Sequence, residues 1–469
     1  MATVKTINIV GCGIVGLITA AIIKKSLPDY LINIYEADSH PKDPSEQVGT
    51  TFGKGRDARH FSGTESTPFQ NPVYARALRL APGEHKDWAG WRLIEENKLT
   101  KDELRWRREC VQRFVDIGHE RLNDYDDLHT QINYAGIAVW GILEKQFPFI
   151  KKHKLSEGLI PLVVMSETSF DADLKNQQNF LKIFGAKGKK VSSGSMKKYL
   201  NQFSKLVKEG KFYKNTTLVP GSSWRIKSLG LGIISYLEKE GVVFHWKKEI
   251  TKSKQLKGDV TIWTVGTTHT IPDIYKKYSL IQGVAGCWVS IPNNGFSKPF
   301  KISFPQPIGQ ANCTPDGEIL HVSAGFGWVG GRPYHEAVKL MEPVIEIFKQ
   351  KVNLCFGTNM KDMSVKGRYP IGICIRPASP TGLPDVRTIT INNQKNIILT
   401  GSAKSGATQS SMLALYALNA ISPKAVKQFS STSHIKDALS SLNSLYKANK
   451  FGKLTKYPEV LERDLFALK

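Results

Sequence analysis

The sequence lacks paired cysteines, long apolar runs and an apolar leader. Its six cysteines are far apart, with no CxxC pair and no metal-ligand spacing, so we predict reduced thiols and no metal site. No stretch reaches the roughly 18 uncharged apolar residues that a membrane helix needs. The start, MATVKTINIVGCGIVG, has no signal-peptide pattern. We therefore expect a soluble, cytoplasmic protein without a transmembrane segment.

Acidic residues are scarce relative to basic ones. The chain has 41 Asp and Glu against 65 Lys and Arg, a net charge of +24. An excess of this size is typical of proteins that meet nucleic acid or an anionic membrane surface. The lysines are dispersed, however, without the interleaved arginines and aromatics of a nucleic-acid reader. This dispersion favours a solvated basic surface; an anionic partner and the oligomeric state stay open.

The 469 residues, 41% of them hydrophobic, suit two to three globular domains. TINIVGCG, IVGLITAAIIKKS and LINIYEA predict a strand, a helix and a second strand of one βαβ unit. A helix and strand after residue 224, a buried strand at GDVTIWTVG and a strand, loop and helix from NIILTGSAKSG predict more of the same sheet. Residues 280–330 alternate apolar runs with turn residues and predict an antiparallel sheet. Thr100 with Glu103, and Ser195, predict two helix starts.

Gly11, Gly13 and Gly16 form a GxGxxG pattern between the first strand and helix. Such glycines allow a tight turn and let backbone N–H groups approach a pyrophosphate. Glu36 follows 20 residues after Gly16, at the end of the second strand, where a carboxylate accepts hydrogen bonds from ribose hydroxyls. The pattern predicts a dinucleotide site, and the acid favours FAD or NAD over NADP.

Several segments together resemble a known flavoprotein group. The opening IVGCGIVG…IYEA, GKGRDARHFSG, TIWTVG, CIRPASPTGLP and LTGSAKSGATQSS occur in this order. This order resembles that of the D-amino-acid oxidase superfamily, which includes D-amino-acid dehydrogenases, glycine oxidase and the sarcosine oxidase group. The resemblance covers residues 5–40 and about 215–422, and residues 65–214 match mainly in helix layout.

The resemblance implies FAD and a two-domain α/β fold, in which a Rossmann-like FAD-binding domain is joined to an antiparallel-sheet substrate domain. The flavin ring would lie between the two domains, with the loop GSAKSG near its pyrimidine edge. The predicted FAD-binding domain comprises residues 1–85, 215–275 and 365–425. Residues 86–214 and 276–364 form the predicted substrate domain, and 426–469 a helical tail. The implied cofactor-binding residues are Gly11, Gly13, Gly16, Glu36, Thr51, Ile250, Gly266, Gly401, Gly406, Ala407 and Cys374.

Arginines are the implied substrate-binding residues. Arg376 matches the arginine that holds the substrate carboxylate in D-amino-acid oxidases and glycine oxidase, a task that suits a planar, bidentate guanidinium. Arg56 and Arg59 match two arginines near the flavin in the sarcosine oxidase group, so Arg376, Arg59 or both could be the clamp. His60 is a proton-relay candidate. His321 lies near the place of an oxygen-activating lysine, and Cys374 at the place of a covalent flavin link.

The sequence thus predicts an FAD-dependent oxidoreductase. It would oxidise the C–N bond of an amino acid or related carboxylate-bearing amine by hydride transfer to the flavin. Three alternatives stay open: a flavoenzyme of the same fold acting on a tRNA-borne amine, a flavin monooxygenase, and a non-catalytic dinucleotide-binding sensor. Neither the substrate nor the electron acceptor follows from the sequence.

Overall fold

A computed structural model describes most of the chain. The described residues are 5–43, 58–62, 90, 93–166, 171, 189–192, 207–210, 212–213, 215–267, 281–304, 308–357, 371–380, 382–391, 393–429 and 432–447. Within this part, no helix is both long and apolar enough to span a bilayer. The helix start predicted at Ser195 lies outside it.

The described part of the chain contains both strands and helices. The strands are β1 (Thr6–Val10), β2 (Leu31–Tyr35), β3 (Ala58–Ser62), β4 (Lys154–Val164), β5 (Lys189–Ser192), β6 (Asn215–Arg225), β7 (Val243–His245), β8 (Val260–Trp263), β9 (Gln282–Pro292), β10 (Phe300–Ser303), β11 (Gln310–Asp316), β12 (Ile319–Gly330), β13 (Ile371–Ala378), β14 (Asp385–Ile391) and β15 (Gln394–Thr400). The helices are α1 (Ile14–Ser26), α2 (Lys101–Gln146), α3 (Pro148–Lys151), α4 (Ile226–Lys239), α5 (Tyr334–Leu340), α6 (Glu342–Phe356), α7 (Gly406–Ile421) and α8 (Ser433–Lys447).

A six-stranded sheet contains the predicted βαβ unit. Its order is β14-β15-β8-β1-β2-β7, with every pair parallel except β14 with β15. The strands therefore come from the start, middle and end of the chain, as predicted. Helices α1, α4 and α7 contribute most of their buried residues to one apolar core with this sheet, because α1 and α7 carry apolar or small residues on nearly all sides.

A nine-stranded sheet forms the second layer, in the order β13-β9-β12-β11-β10-β4-β6-β3, with β5 also on β6. The antiparallel pairing of β9, β11 and β12 confirms the prediction for residues 280–330. This sheet also includes β3, β6 and β13, which lie in ranges that the sequence assigned to the FAD-binding domain. Among the described residues, each of these strands pairs with other strands of this sheet and with none of the six-stranded one. The predicted domain boundaries themselves stay a prediction.

The long helix α2 connects the layers. It begins at Thr100 with the predicted capping box, because Thr100 Oγ1 accepts from Glu103 N at 3.3 Å and Glu103 Oε2 accepts from Thr100 N at 2.8 Å. Farther along, Gly136 lets α2 approach α7 closely: an added Cβ would overlap the carbonyl oxygen of Thr408, whose carbon would be 3.2 Å away. Gly141, on an exposed side of the same helix, has no atom near such a Cβ.

These two glycines give opposite expectations for the same substitution. Gly136→Ala should lower the free energy of unfolding by about 1–3 kcal/mol, because the methyl group forces α2 and α7 apart. Gly141→Ala should raise it by about 0.5–1 kcal/mol, because alanine is the better helix former. Urea unfolding of both variants measures the difference. Equal effects of the same sign would contradict the close packing at Gly136.

Candidate functional site

The turn from β1 into α1 is held against β8. Gly11 N donates to Tyr35 O at 2.9 Å, and Gly11 has a φ of +100°, which favours glycine. A Cβ on Gly11 would lie 2.7 Å from Thr264 O, and one on Gly16 would lie 2.8 Å from Thr264 Oγ1 and still closer to Gly11 O. The two glycines therefore allow a backbone approach that no other residue permits. Gly13 is the N-cap of α1.

Glu36 lies beside this turn. Its Oε2 accepts from Cys12 N at 2.6 Å, and its Oε1 accepts from Asp38 N at 3.1 Å. Burial raises the pKa of Glu36, although these backbone N–H groups oppose the shift. A carboxylate placed at the β1–α1 turn, with hydrogen bonds that fix its orientation, has the arrangement expected for a ribose-binding acid.

The ends of β8 and β15 close the same edge of the sheet. Thr264 N donates to Val10 O at 2.8 Å, and Thr400 Oγ1 donates to Gly266 O at 3.2 Å. Gly266 and Gly401 both have positive φ, at 65° and 78°. The carboxyl ends of parallel strands are where ligands bind in open α/β sheets, so these residues frame the predicted dinucleotide cradle.

The loop between β15 and α7 joins this cradle to the other sheet. Ser402 forms a backbone bridge with Ala378, the last residue of β13. The side chain of Ser402 is buried, and its Oγ has no hydrogen-bond partner among the described residues. Ala403 has a φ of +44°, unusual for a residue other than glycine. The chain then turns into α7 at Gly406, directly followed by Ala407.

One face of the nine-stranded sheet, called the polar face below, carries most of its polar residues beside a few apolar ones such as Trp288, and the other face is apolar. Directly paired residues share a face, and the pairs Arg376 with Val284, Cys374 with Gly286 and His321 with Ser290 fall on the polar one. The intervening residues belong to one apolar core with α5 and α6: Ala285, Cys287, Val289, Ala311, Cys313, Leu320, Val322 and Ile373. The opposite face carries the polar side chains and does not pack on this core, so it is the face suited to a polar ligand.

The guanidinium of Arg376 lies across the neighbouring strand. A Cβ on Gly286 would be 2.6 Å from Arg376 Cζ and 2.6 Å from Nη1, so only glycine leaves room for the arginine there. The Arg376 side chain is partly buried, and its Nη1 is fully enclosed. Arg376 is two residues before Ala378, which bridges to the cradle loop. The Arg376 guanidinium thus belongs to the strand that is bridged to the loop of the predicted cofactor site.

His321 and His60 lie farther across the polar face. His321 Nδ1 is 2.7 Å from Ser290 Oγ, and its Nε2 is 4.0 Å from Asp316 Oδ2. His60 Nε2 is 2.6 Å from Thr314 Oγ1, because the sheet curls and brings β3 over β11. Lys301 shares this face through its pairing with Asn312 and is only 2% exposed. Burial, and next the charge of Lys301, lower the pKa of His60 to about 3.

Two further bonds brace the sheet around this face. Arg225 of β6 forms a two-pronged ion pair with Asp316 of β11. The Arg225 guanidinium holds the pKa of the Asp316 carboxyl below its ordinary value. Together with the His60 and Thr314 contact, this ion pair holds the curled edge of the sheet against its centre.

No protein-family model matches the sequence, and no curated protein sequence matches it. Solved structures do match the fold. Glycine oxidase from Geobacillus kaustophilus superposes with a TM-score of 0.54 at 12% identity, covering 88% of this chain and 94% of that one. A modified fructosyl peptide oxidase from Aspergillus nidulans gives 0.56 at 11% identity, covering 94% of both. L-proline dehydrogenase from P. horikoshii gives 0.53 at 10% identity, covering 90% and 95%.

The chain shares the fold of these solved oxidase and dehydrogenase structures. The resemblance predicted from the sequence is therefore confirmed at the level of the fold, as is the predicted combination of parallel and antiparallel sheets. Structures that share the fold at 10–12% identity do not by themselves identify a reaction.

The fold brings many of the predicted residues together. Gly11, Gly13, Gly16 and Glu36 surround one turn, Gly266 and Gly401 follow the adjoining strands β8 and β15, and Gly406 and Ala407 begin α7. Ile250 packs in an apolar cluster with Val10 and Trp263, the last residues of β1 and β8, and its assignment to the cofactor stays a prediction. Cys374 is partly exposed on the polar face, two residues from Arg376. Its assignment as a flavin link stays a prediction.

The arginine-rich segment is described only in part. Arg59 lies on β3 opposite Trp224, while Thr51 and Arg56 lie outside the described residues. The sequence analysis missed Lys301, Thr314, Ser290 and His129. An alternation in FKIS, with Lys301 between Phe300 and Ile302, is the signal that would have placed Lys301 on the polar face.

The pKa of His60 has a consequence for stability. Because the folded-state pKa is about 3 and the ordinary value is 6.5, the unfolded chain binds a proton first as the pH falls. His60 should therefore remove up to about 1.4 kcal/mol of stability per pH unit below its ordinary pKa. We expect His60→Gln to show a shallower loss in urea unfolding between pH 6.5 and 4.5. His335→Gln, at an exposed side chain, should keep the wild-type slope; equal slopes in all three proteins would contradict a buried neutral His60.

Proposed function

We propose that the protein is an FAD-dependent oxidoreductase that oxidises the C–N bond of an amino acid or a related carboxylate-bearing amine. One observation carries the proposal. Arg376 lies on the polar face of the sheet, and its strand, β13, is bridged to the cradle loop through Ala378 and Ser402. A carboxylate held there is next to the place for a dinucleotide. The similar structures of glycine oxidase and L-proline dehydrogenase support a reaction of this class.

FAD is the expected cofactor, and the residues present fit it. Gly11 and Gly16 leave a backbone cradle at the start of α1, where N–H groups suit a pyrophosphate. Glu36 suits the ribose hydroxyls. At the other end, the buried Ser402 Oγ has no partner among the described residues, and the start of α7 suits a developing negative charge. Gly401 and Gly406 shape this second contact.

Arg376 would fix the substrate. Two parallel, charge-assisted hydrogen bonds determine both the position and the rotation of a carboxylate. This orientation directs one C–H bond of the carbon next to the nitrogen toward the cradle. The net charge of +24 favours the approach of anionic substrates. Arg59 is the second candidate for the clamp, and with Arg376 it would suit a substrate with two acidic groups.

The chemistry needs little from the protein beyond orientation. FAD, when bound, supplies the acceptor for the hydride that leaves the substrate carbon. The nitrogen lone pair forms the C=N bond as the C–H bond breaks, so the amine must be neutral, and water later hydrolyses the imine. His60 stays neutral at pH 7 and adds no charge to the polar face. Its hydrogen bond to Thr314 could pass a proton but supplies no strong base.

The visible spectrum of the purified protein tests this function. It would be recorded without oxygen before and after L-, D- and N-methyl amino acids are added one at a time. We expect a flavin band that one of these classes bleaches. A yellow protein that none of them bleaches would favour a larger amine, including one on nucleic acid, and a colourless protein that takes up no added FAD would contradict the proposal.

A further inference from the structure

A row of polar contacts connects α2 to the start of α7. The α2 positions involved lie three or four residues apart, so they share one side of the helix. The contacts are His129 Nε2 with Ser405 Oγ at 3.1 Å, Gln409 Nε2 to Asn133 Oδ1 at 2.9 Å, Ser411 Oγ to Gly136 O at 2.9 Å and Trp140 Nε1 to Ala407 O at 3.1 Å. These buried contacts fix the place of the first turn of α7.

The first contact in this row involves the cap of α7. Ser405 is the N-cap residue, a position where a serine hydroxyl usually accepts a hydrogen bond from an N–H group of the first turn. Ser405 makes no such capping bond. Its hydroxyl instead lies against His129 of α2, in a site where both side chains are buried. The helix therefore begins without the usual side-chain cap.

A second observation indicates that another molecule completes this helix end. Ser402, three residues before the cap, is 2% exposed, and its Oγ has no partner among the described residues. Burying a hydroxyl without a partner costs about 1–3 kcal/mol. The same loop holds Ala403 at a φ of +44°. A loop with an unsatisfied hydroxyl and a non-glycine left-handed residue beside an uncapped helix is typical of a ligand contact.

His129 can hold the serine without adding charge. Burial lowers the pKa of His129 to about 4, so the imidazole is neutral at pH 7. A neutral ring leaves the positive end of the α7 dipole unchanged. The histidine thus changes the hydrogen bonding at the helix start but not its electrostatic field.

We infer that His129 is a positioning residue for the flavin: by holding the Ser405 hydroxyl on α2, it keeps the first turn of α7 uncapped for the pyrimidine edge of FAD. The inference rests on the proposed function. It goes beyond that function because it assigns control of flavin affinity and potential to a side chain of α2. No role for α2 followed from the sequence.

The test compares reduction potentials and FAD dissociation constants in four proteins. In His129→Phe, the Ser405 hydroxyl is released and caps α7, which removes hydrogen bonds from the reduced flavin. We expect the affinity for reduced FAD, relative to oxidised FAD, to fall about tenfold, which lowers a two-electron potential by about 30 mV. Ser405→Ala should stay close to wild type. In the double variant His129→Phe with Ser405→Ala, the affinity for reduced FAD relative to oxidised FAD should return to within about threefold of the wild-type value, because no hydroxyl is left to form the cap.

Recovery in the double variant is the decisive result. A purely structural role of His129 would leave the double variant at least as impaired as His129→Phe, and that outcome would overturn the inference. Asn133→Leu is the matched control, since it breaks another contact of the row and should lower stability without changing the potential. His129→Gln keeps a hydrogen-bonding group at similar reach and should retain the wild-type potential.

Two outcomes separate the inference from the proposed function. If the wild-type protein binds no FAD, the proposed function fails and the inference fails with it. If the protein binds FAD but all variants have the wild-type reduction potential, only the inference fails. Should His129→Phe not fold, His129→Met removes the same hydrogen bond with a more adaptable side chain, and its potentials alone and with Ser405→Ala decide the question.

Discussion

Replacing Arg376 with lysine should lower the rate of flavin reduction per unit of substrate at least about a hundredfold while FAD stays bound. Lysine keeps the charge but cannot form two parallel hydrogen bonds to one carboxylate. Losing this fork from an enclosed site costs about 3 kcal/mol or more. The position over Gly286 supports this expectation, because the sheet leaves room there for a planar group. Anaerobic stopped-flow measurements with the substrate that bleaches the wild-type protein give the rate.

The matched control for this substitution is Arg387→Lys. Arg387 lies on β14 and pairs with Asp385 at 2.6 Å, in a partly exposed ion pair outside the polar face. Its replacement should change the rate less than about twofold. Wild-type kinetics in Arg376→Lys would indicate that Arg59 binds the carboxylate. Arg59→Lys would then be expected to show the hundredfold loss of rate.

Gly16→Ala should lower the affinity for FAD at least about a hundredfold. Its Cβ would lie 2.8 Å from Thr264 Oγ1 and closer still to Gly11 O. These neighbours include backbone that is fixed by the hydrogen bonds of Thr264 to β1. Helix α1 must therefore move away from the turn, and with it the N–H groups that suit the pyrophosphate. Overpacking of this kind costs about 1–3 kcal/mol or more in stability as well.

Titration of the apoprotein with FAD, followed by flavin fluorescence, measures the loss of affinity. Urea unfolding of the same apoprotein separates a damaged cradle from a damaged fold. Gly141→Ala, which adds the same methyl group to an open side of α2, should bind FAD as the wild type does. FAD binding of Gly16→Ala at wild-type strength would place the cofactor away from the β1–α1 turn.

The arrangement of the proposed cofactor half of the site is easier to predict from the sequence than that of the proposed substrate half. Gly11, Gly16 and Glu36 lie within one short βαβ unit, where the order of residues determines their places in space. Local geometry is enough there, because the turn, helix and acid are successive elements of one unit. The same reasoning placed Gly401 after a strand and Gly406 at the start of a helix, since a strand, small-residue loop and apolar helix follow one another.

The substrate half depends on pairings between distant strands. His60 meets Thr314 only because the nine-stranded sheet curls and brings β3 over β11. Lys301 shares a face with Arg376 only through the register of the strands between them. Register and curl follow from the whole sheet, so neither contact is readable from one segment. The contact of His129 with Ser405 joins residues 276 positions apart, so it could not be predicted from the sequence either.

The order of strands in the six-stranded sheet affects how the protein is made. A ribosome delivers β1, α1 and β2 first, yet β1 pairs with β8, and β8 pairs with β15, which ends at Thr400. The emerging βαβ unit therefore lacks its neighbours, and the apolar side of α1 lacks α7, until residue 421 has been synthesised. Nascent chains wait in a partly folded form over nearly the full period of translation, exposed to aggregation. Chaperone demand during expression, and failure of chains truncated before α7 to take up FAD, follow from this topology.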